Sequence, residues 1–511
     1  MYNPRQKRNV FHLQRPNNGN YWVPPGCAQE TYVDPTYDIS QAYFGTNPPV
    51  YPYFDIAAKY GFANYFFQTN QGPSAPAHDF LFGGTSAPAG NSALDYFQQY
   101  EQYYQEFAAG NFGNTVAGDT KGDCYYNSNQ TTSLIFPNAQ YTGNVTENPC
   151  FDHQTLVDLL DNATPTPLTW KYYARHYYDY WNAPSRIAHL CSGPGWTPGT
   201  PCNSAYYTSP NPNIVVPSEL FFADVPARGT GLTTGQGKGQ PPSCALPNVT
   251  WIIPNGSWSD HPGPSGSLST TTELGPDWVA NIISAVGGSP CIDEIGKNPW
   301  QDTVIFVVWD DWGGFYDHVA DGLGAQFLNP QSGDFCFFSS GWGCGYTYGF
   351  RVPFLVVSQY TSPGYVSGDC TLSGGCPNTN LEFYHDFGSI LAFIENNFSL
   401  GIGCINGNPG NVSNNGVPCN NGGGGGYAFA DAYYPEQQAG SQYLPLGDLF
   451  NLWYGSENSI CTNPNGCAQP FASITLASEM CGNVYCYGVQ YFKNGGDGQD
   501  YDPDNDAIDN D

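Results

Sequence analysis

Seven residues, Thr303 to Trp309 (TVIFVVW), constrain this 511-residue chain more than any other stretch. They are mostly β-branched or aromatic, which predicts a buried strand. Such a strand needs strand neighbours and helical cover. It runs straight into two adjacent carboxylates, Asp310 and Asp311, followed by Gly313, Gly314, Asp317 and His318. The ends of strands are where α/β folds keep their chemistry. Two neighbouring acids repel each other unless a cation lies between them, and hard-oxygen metal sites are built in that way. An acidic turn closing a core strand has the same local sequence, so these residues alone leave both readings open.

Around this strand the pattern alternates. Strands are predicted at 249–253 and 352–358, and helices at 156–160, 170–181, 277–286 and 381–398. The alternation predicts an α/β fold: a central, mainly parallel sheet with helices on both faces. Residues 1–50 are Pro- and Asn-rich and irregular, and the main domain is read as 51–400 with a Pro/Gly/Ser-rich insertion at 183–243. A Gly/Asn-rich loop or linker follows at 401–426, then a small Cys- and Tyr-rich C-terminal part at 427–511 that ends in an acidic tail. Asp502, Asp504 and Asp506 in the tail alternate as in a calcium loop, but the Gly and closing Glu of an EF-hand are missing.

Composition excludes some partners. The net charge is −30 with only 14 Lys plus Arg, which argues against nucleic acid, whose backbone needs a basic surface. No run of about 18 apolar residues occurs, so no transmembrane helix is predicted. The start, MYNPRQKRNVFHLQ, is basic but has no apolar core, and does not read as a signal peptide. The 17 cysteines argue for export nonetheless. Cys336/Cys344, Cys370/Cys376, Cys404/Cys419, Cys461/Cys467 and Cys481/Cys486 are closely spaced across loops and lack zinc-ribbon spacing. Disulfides in a secreted, extracellular or periplasmic protein are the expectation.

Five ordered segments resemble one family. They are Phe54–Ser86, Leu246–Gly263 (ending in Ser-Asp-His-Pro), Thr303–Val319, Tyr348–Val366 and Phe383–Phe398. Together they resemble the bacterial phosphoesterase family of phospholipases C and acid phosphatases, which has the alkaline phosphatase and sulfatase type of fold. The resemblance implies a phosphoric ester hydrolase acting on a phosphoester or phospholipid with one divalent metal ion of unspecified identity. It matches Ser74, in GPSAPAH, to the nucleophile, which also ligates the metal. Asp310 and Asp311 match the paired metal-holding acids. His261, with His318, is placed to protonate the leaving group. His78 and Asp260 are placed at the substrate phosphate. Read without the resemblance, Ser74 is a simple helix-capping serine and the histidines are structural.

The family normally begins with a buried strand ending in Glu-Asn, which supplies further metal ligands, and no such segment occurs here. The chain is therefore read as starting after that strand. The departure keeps a second class in play, a non-catalytic extracellular binding or assembly protein that retains the fold. A sulfatase is disfavoured, because Ser74-Ala75-Pro76-Ala77 continues to His78 where that chemistry needs Arg.

Overall fold

The computed structural model describes residues 51–68, 74–83, 123–125, 150, 152, 155–178, 181–197, 199–225, 246–254, 259–260, 275–292, 296–311, 351–361, 363–367, 385–400 and 469–474. Seven further short strands are described by backbone alone, at 2–3, 8–9, 105–106, 132–135, 141–147, 435–438 and 442–445.

The elements that frame the site follow in chain order. They are α1 (Tyr51–Lys59), β1 (Gly61–Ala63), β2 (Phe66–Phe67), α2 (Ser74–Gly83), α3 (Leu156–Asp161), β3 (Trp170–Tyr173), β4 (Ile214–Val215), β5 (Val249–Ile252), α4 (Gly275–Gly288), β6 (Val304–Val308), β7 (Phe354–Ser358), β8 (Tyr365–Ser367), β9 (His385–Asp386) and α5 (Phe387–Phe398).

Two sheets carry the core. One has the order β5-β3-β4, with both pairings parallel. The other has the order β6-β7-β1-β8, antiparallel at its first two pairings and parallel at β1/β8. A short parallel pair, β9/β2, lies alongside. The architecture is α/β with parallel strands. Among the described residues, the strands form separate sheets, and β7 runs against both its neighbours.

Alternation along the strands explains the cover. Ile305, Val307, Leu355, Val357 and Phe62 pack against Ile56 of α1 and Ala280 and Ile283 of α4. On the opposite face, Phe306 stacks on Phe354 and meets Phe393 of α5 edge-on at 5.2 Å. In the parallel sheet, Tyr173 and Ile252 pack with Trp278, Ile282 and Val286 of α4. Trp170, Tyr172 and Val249 face the other way, into a cluster with Phe82 of α2 and Leu391 of α5. Both sheets thus share α4 on one face and α5 on the other.

The predicted helix at 170–181 is corrected: Trp170–Tyr173 is a strand, flanked on both sides by parallel partners. Its aromatic side chains suit a pleated surface packed from both faces, and that tertiary setting overrides the helical spacing. Residues 183–225, read as an insertion, supply β4 and buried Arg186, Leu190 and Ile214. Two disulfides pin this region, Cys124–Cys150 and Cys191–Cys202. The five close cysteine pairs named above lie outside the described residues.

Residues 469–474 dock on the α1/α4 face. Phe471 meets Trp300 at 5.1 Å, and the Tyr60 hydroxyl both donates to Ala472 O and accepts from Ala472 N.

Candidate active site

Ser74 opens α2, a helix buried along nearly its whole length. Pro76 sits in the first turn, where its missing N–H leaves no helical bond unmade. Phe82, near the other end, is gripped by Trp170, Tyr172 and Trp251. Asp79 forms a fully buried pair with Arg186, whose Nε lies 3.1 Å from each carboxylate oxygen. The neighbouring Ser185 hydroxyl donates to Asn182 O and to Asp123 Oδ2. Asp123 adjoins the bridged Cys124, whose N–H donates to Ser185 O. The helix that starts at Ser74 is therefore fixed by packing, by a buried charge pair and by a segment held through a disulfide.

β6 delivers the acids. At its C-terminal end, Asp311 Oδ2 accepts the Ser74 hydroxyl at 3.0 Å, across 237 residues of sequence. His78, one turn along α2 from Ser74, has Nε2 3.3 Å from Asp310 Oδ2. The serine and the histidine are buried, whereas the Asp310 side chain is 29% exposed, so the cluster opens to solvent on that side.

Behind the acids, Asp260 holds the strand end. Its Oδ2 accepts from the Tyr53 hydroxyl at 2.7 Å and from Trp309 Nε1 at 3.0 Å. The Tyr53 and Trp309 rings meet edge-on at 4.7 Å. Burial pushes the Asp260 carboxyl up to about 7, against the lowering effect of the two hydrogen bonds. Among the described residues, the buried Asp260 Oδ1 has no hydrogen-bond partner.

Of the residues singled out from sequence, Ser74, His78, Asp310 and Asp311 are brought into contact, and Asp260 lies one residue away through Trp309. His261 and His318 lie outside the described residues. Arg186, Asp79 and Tyr53 were not singled out, and no local signal marks them, since their partners are distant in sequence. His385 is buried in β9. Arg351 donates to the backbone and side-chain oxygens of Asn64.

A divalent cation can be tested against these donors. Adjacent oxygens on an octahedral ion at about 2.1 Å lie roughly 3 Å apart, which matches the Ser74–Asp311 separation of 3.0 Å. Two carboxylates and a hydroxyl are hard donors that would leave an open coordination shell. Among the described residues no group of three or more His, Cys, Asp or Glu is placed to hold a metal ion.

The Phosphoesterase family profile matches residues 22–401, well over half of the sequence. The chain belongs to the Phosphoesterase family. Among curated relatives of this phosphoesterase-family chain, the non-hemolytic phospholipase C of Pseudomonas aeruginosa is 28% identical over 175 residues, covering 30% of this chain and 20% of the relative. The non-hemolytic phospholipase C of Burkholderia pseudomallei is 28% identical over 161 residues, covering 30% of this chain and 19% of the relative. Phospholipase C A of Mycobacterium tuberculosis is 29% identical over 121 residues, covering 23% and 21% respectively. The matched segments span about a fifth of each relative's own length. Among the described residues no helix is long and apolar enough to cross a membrane.

Proposed function

We propose that this chain is a secreted phosphoric ester hydrolase of phospholipase C or acid phosphatase type, with the alkaline phosphatase-like fold and Ser74 as nucleophile. The observation that carries the reading is the 3.0 Å hydrogen bond from the Ser74 hydroxyl to Asp311, at the start of a helix and the end of a strand. Membership of the Phosphoesterase family supports it, as do the relatives named phospholipase C.

Asp311 accepts the hydroxyl hydrogen and so aims an Oγ lone pair outward. The first turn of α2 offers backbone N–H groups, and its dipole favours an anion there. Ser74 Oγ, its proton passing to Asp311, forms a bond to phosphorus as the bond to the leaving oxygen breaks, and His261 gives that oxygen a proton. Water then cleaves the phosphoserine. His78, beside Asp310, steadies the phosphate and that acid together. Asp260 acts through Trp309 as a positioning residue, because its Oδ2 is taken up by Tyr53 and Trp309. A divalent ion held by Asp310, Asp311 and Ser74 would lower the hydroxyl's pKa and neutralise charge on the phosphoryl oxygens.

Ser74→Ala tests the reading, with chromogenic phosphomonoesters and phosphocholine diesters assayed from about pH 4 to 8, the range that spans carboxylate and imidazole titration. The expected result is a fall of at least about 10³-fold in kcat/KM with an unchanged circular dichroism spectrum. Asp310→Asn should lower activity and raise the divalent-metal concentration needed for it. Full activity in Ser74→Ala would remove the assignment. A wild-type chain that is inactive on both ester classes with several metals would favour the binding-module reading.

A further inference from the structure

β3 leads into a tight loop, residues 174–182, at the end of the parallel sheet that faces Ser74. The Ala174 N–H donates to Val215 O, and the Ile253 N–H donates to Tyr173 O, so the loop and the end of β5 lie side by side. Asn182 closes the loop by donating its side-chain amide to His176 O and Tyr177 O. The Tyr172 hydroxyl donates to Trp181 O and ties the far end of the loop back to the strand.

Two side chains of this loop turn inward. The Trp181 indole packs with Ala75, the residue after Ser74, and with Ile253 just beyond β5. The Arg175 guanidinium lies over the same indole, its Cζ 4.3 Å from the ring centroid. Arg175 is 4% exposed and Trp181 5%, so both are enclosed and neither is open to a substrate. A guanidinium is charged at any ordinary pH. Its attraction to an indole face is greatest where water is excluded.

We propose that Arg175 is a positioning residue for Ser74: its charge pins the Trp181 ring, and the ring backs the first turn of α2. The lever arm shows why this contact matters. The other grips on α2, the Asp79–Arg186 pair and the aromatic rings around Phe82, act further along the helix. At 1.5 Å per residue Asp79 is about 7.5 Å from Ser74, so a swing of about 10° about Asp79 carries the hydroxyl roughly 1.3 Å. A displacement of about 1 Å at a reacting atom can cost about 100-fold in rate. The wall behind Ala75 opposes that swing and keeps the hydroxyl 3.0 Å from Asp311. The charge matters beyond its bulk. A residue that merely filled the space would be replaced by Met as well as by Lys or better, because Met buries no charge. A cation that holds the ring gives the order Arg, Lys, Met, since Lys keeps the charge but lacks the flat stacking surface. The kinetic consequence rests on the reading of Ser74 as nucleophile; the mechanical one does not.

The test compares the full-length wild type, Arg175→Lys and Arg175→Met by hydrogen exchange and by turnover of a soluble chromogenic phosphoester, with circular dichroism as the check on fold. Amides of 75, 77 and 78 should exchange at least about fivefold faster in Arg175→Met and by an intermediate amount in Arg175→Lys, while those of 80–83 keep the wild-type rate. The value of kcat should fall about 30–100-fold in Arg175→Met and about three- to tenfold in Arg175→Lys, with KM within about threefold of wild type. Trp181→Phe keeps a ring of weaker attraction, so in that background Arg175→Met should cost at least about threefold less than it does alone. Where Arg175→Met fails to fold, Arg175→Gln, neutral and of similar reach, takes its place. Unchanged exchange at 75–78 in the neutral variant would overturn the proposal. So would a Met variant equal to or better than the Lys variant, or a loss undiminished by Trp181→Phe. A wild type that turns over no phosphoester would remove the nucleophile, and the exchange order would then decide the positioning claim by itself.

Discussion

His189, outside the candidate site, is held between two carboxylates. Its Nδ1 lies 2.6 Å from Asp152 and its Nε2 3.0 Å from Asp158. Burial pulls the imidazole pKa down, but hydrogen bonds and charge from the two carboxylates more than reverse this, to about 9. Asp158, despite burial, is held below its ordinary value by the same contact and by Thr155. The sign follows directly. The folded pKa lies above the unfolded one of about 6.5, so the stabilisation is complete below pH ~6.5 and is lost as pH rises through ~9. The ring is about one-third exposed, so solvent screening keeps the effect to roughly 1 kcal/mol. Thermal melts of the wild type and His189→Gln should differ most near pH 6 and converge by about pH 10. A gap that widens with pH would show that the two aspartates do not hold the imidazolium form.

At the scale of elements, α2 stays in place through a charge pair that the sequence does not advertise. Asp79 and Arg186 are both fully buried and 107 residues apart. Removing one partner leaves an uncompensated charge in the core, so Arg186→Met should destabilise the fold by about 3–5 kcal/mol. Adding Asp79→Asn should recover part of that loss, as chemical denaturation would reveal. If the two changes were simply additive, the pair would have no coupling. The same example shows what sequence can carry. β6, α4 and α3 were legible, because local hydrophobic patterning and their tertiary setting agree. β3 was misread because its aromatic spacing fits a helix and only parallel partners far along the chain decide otherwise. Ser74 stood out through a family resemblance alone; its local sequence reads equally well as a cap. The Tyr53–Asp260–Trp309 contact and the Cys124–Cys150 bridge join distant segments and leave no periodic trace.

For the whole molecule, the docking of residues 469–474 decides how much of the chain forms one body. Gly287, in the last turn of α4, lies against this segment. A Cβ there would lie 2.1 Å from the Phe471 ring, which is already packed on Trp300. Gly287→Ala should therefore push the segment off. The expected signs are a melting temperature lower by several degrees and faster amide exchange in 471–474, with α4 itself still helical. Unchanged exchange there would show that the ring simply turns aside. Lys59 adds a second clasp by donating to Ser473 O at 2.7 Å.

That clasp also sets a schedule for synthesis. Tyr60 and Ala472 are 412 residues apart, and a ribosome adds about 5–20 residues each second, so the first helix of the core waits roughly 20–80 s for the segment that seals it. The face formed by Ile56, Trp300 and Leu355 exists only once Leu355 has been made, and from then until residues 469–474 emerge it stands open on the nascent chain. The period of greatest exposure to chaperones, and to mispairing with neighbouring nascent chains, lasts until residues 469–474 leave the exit tunnel.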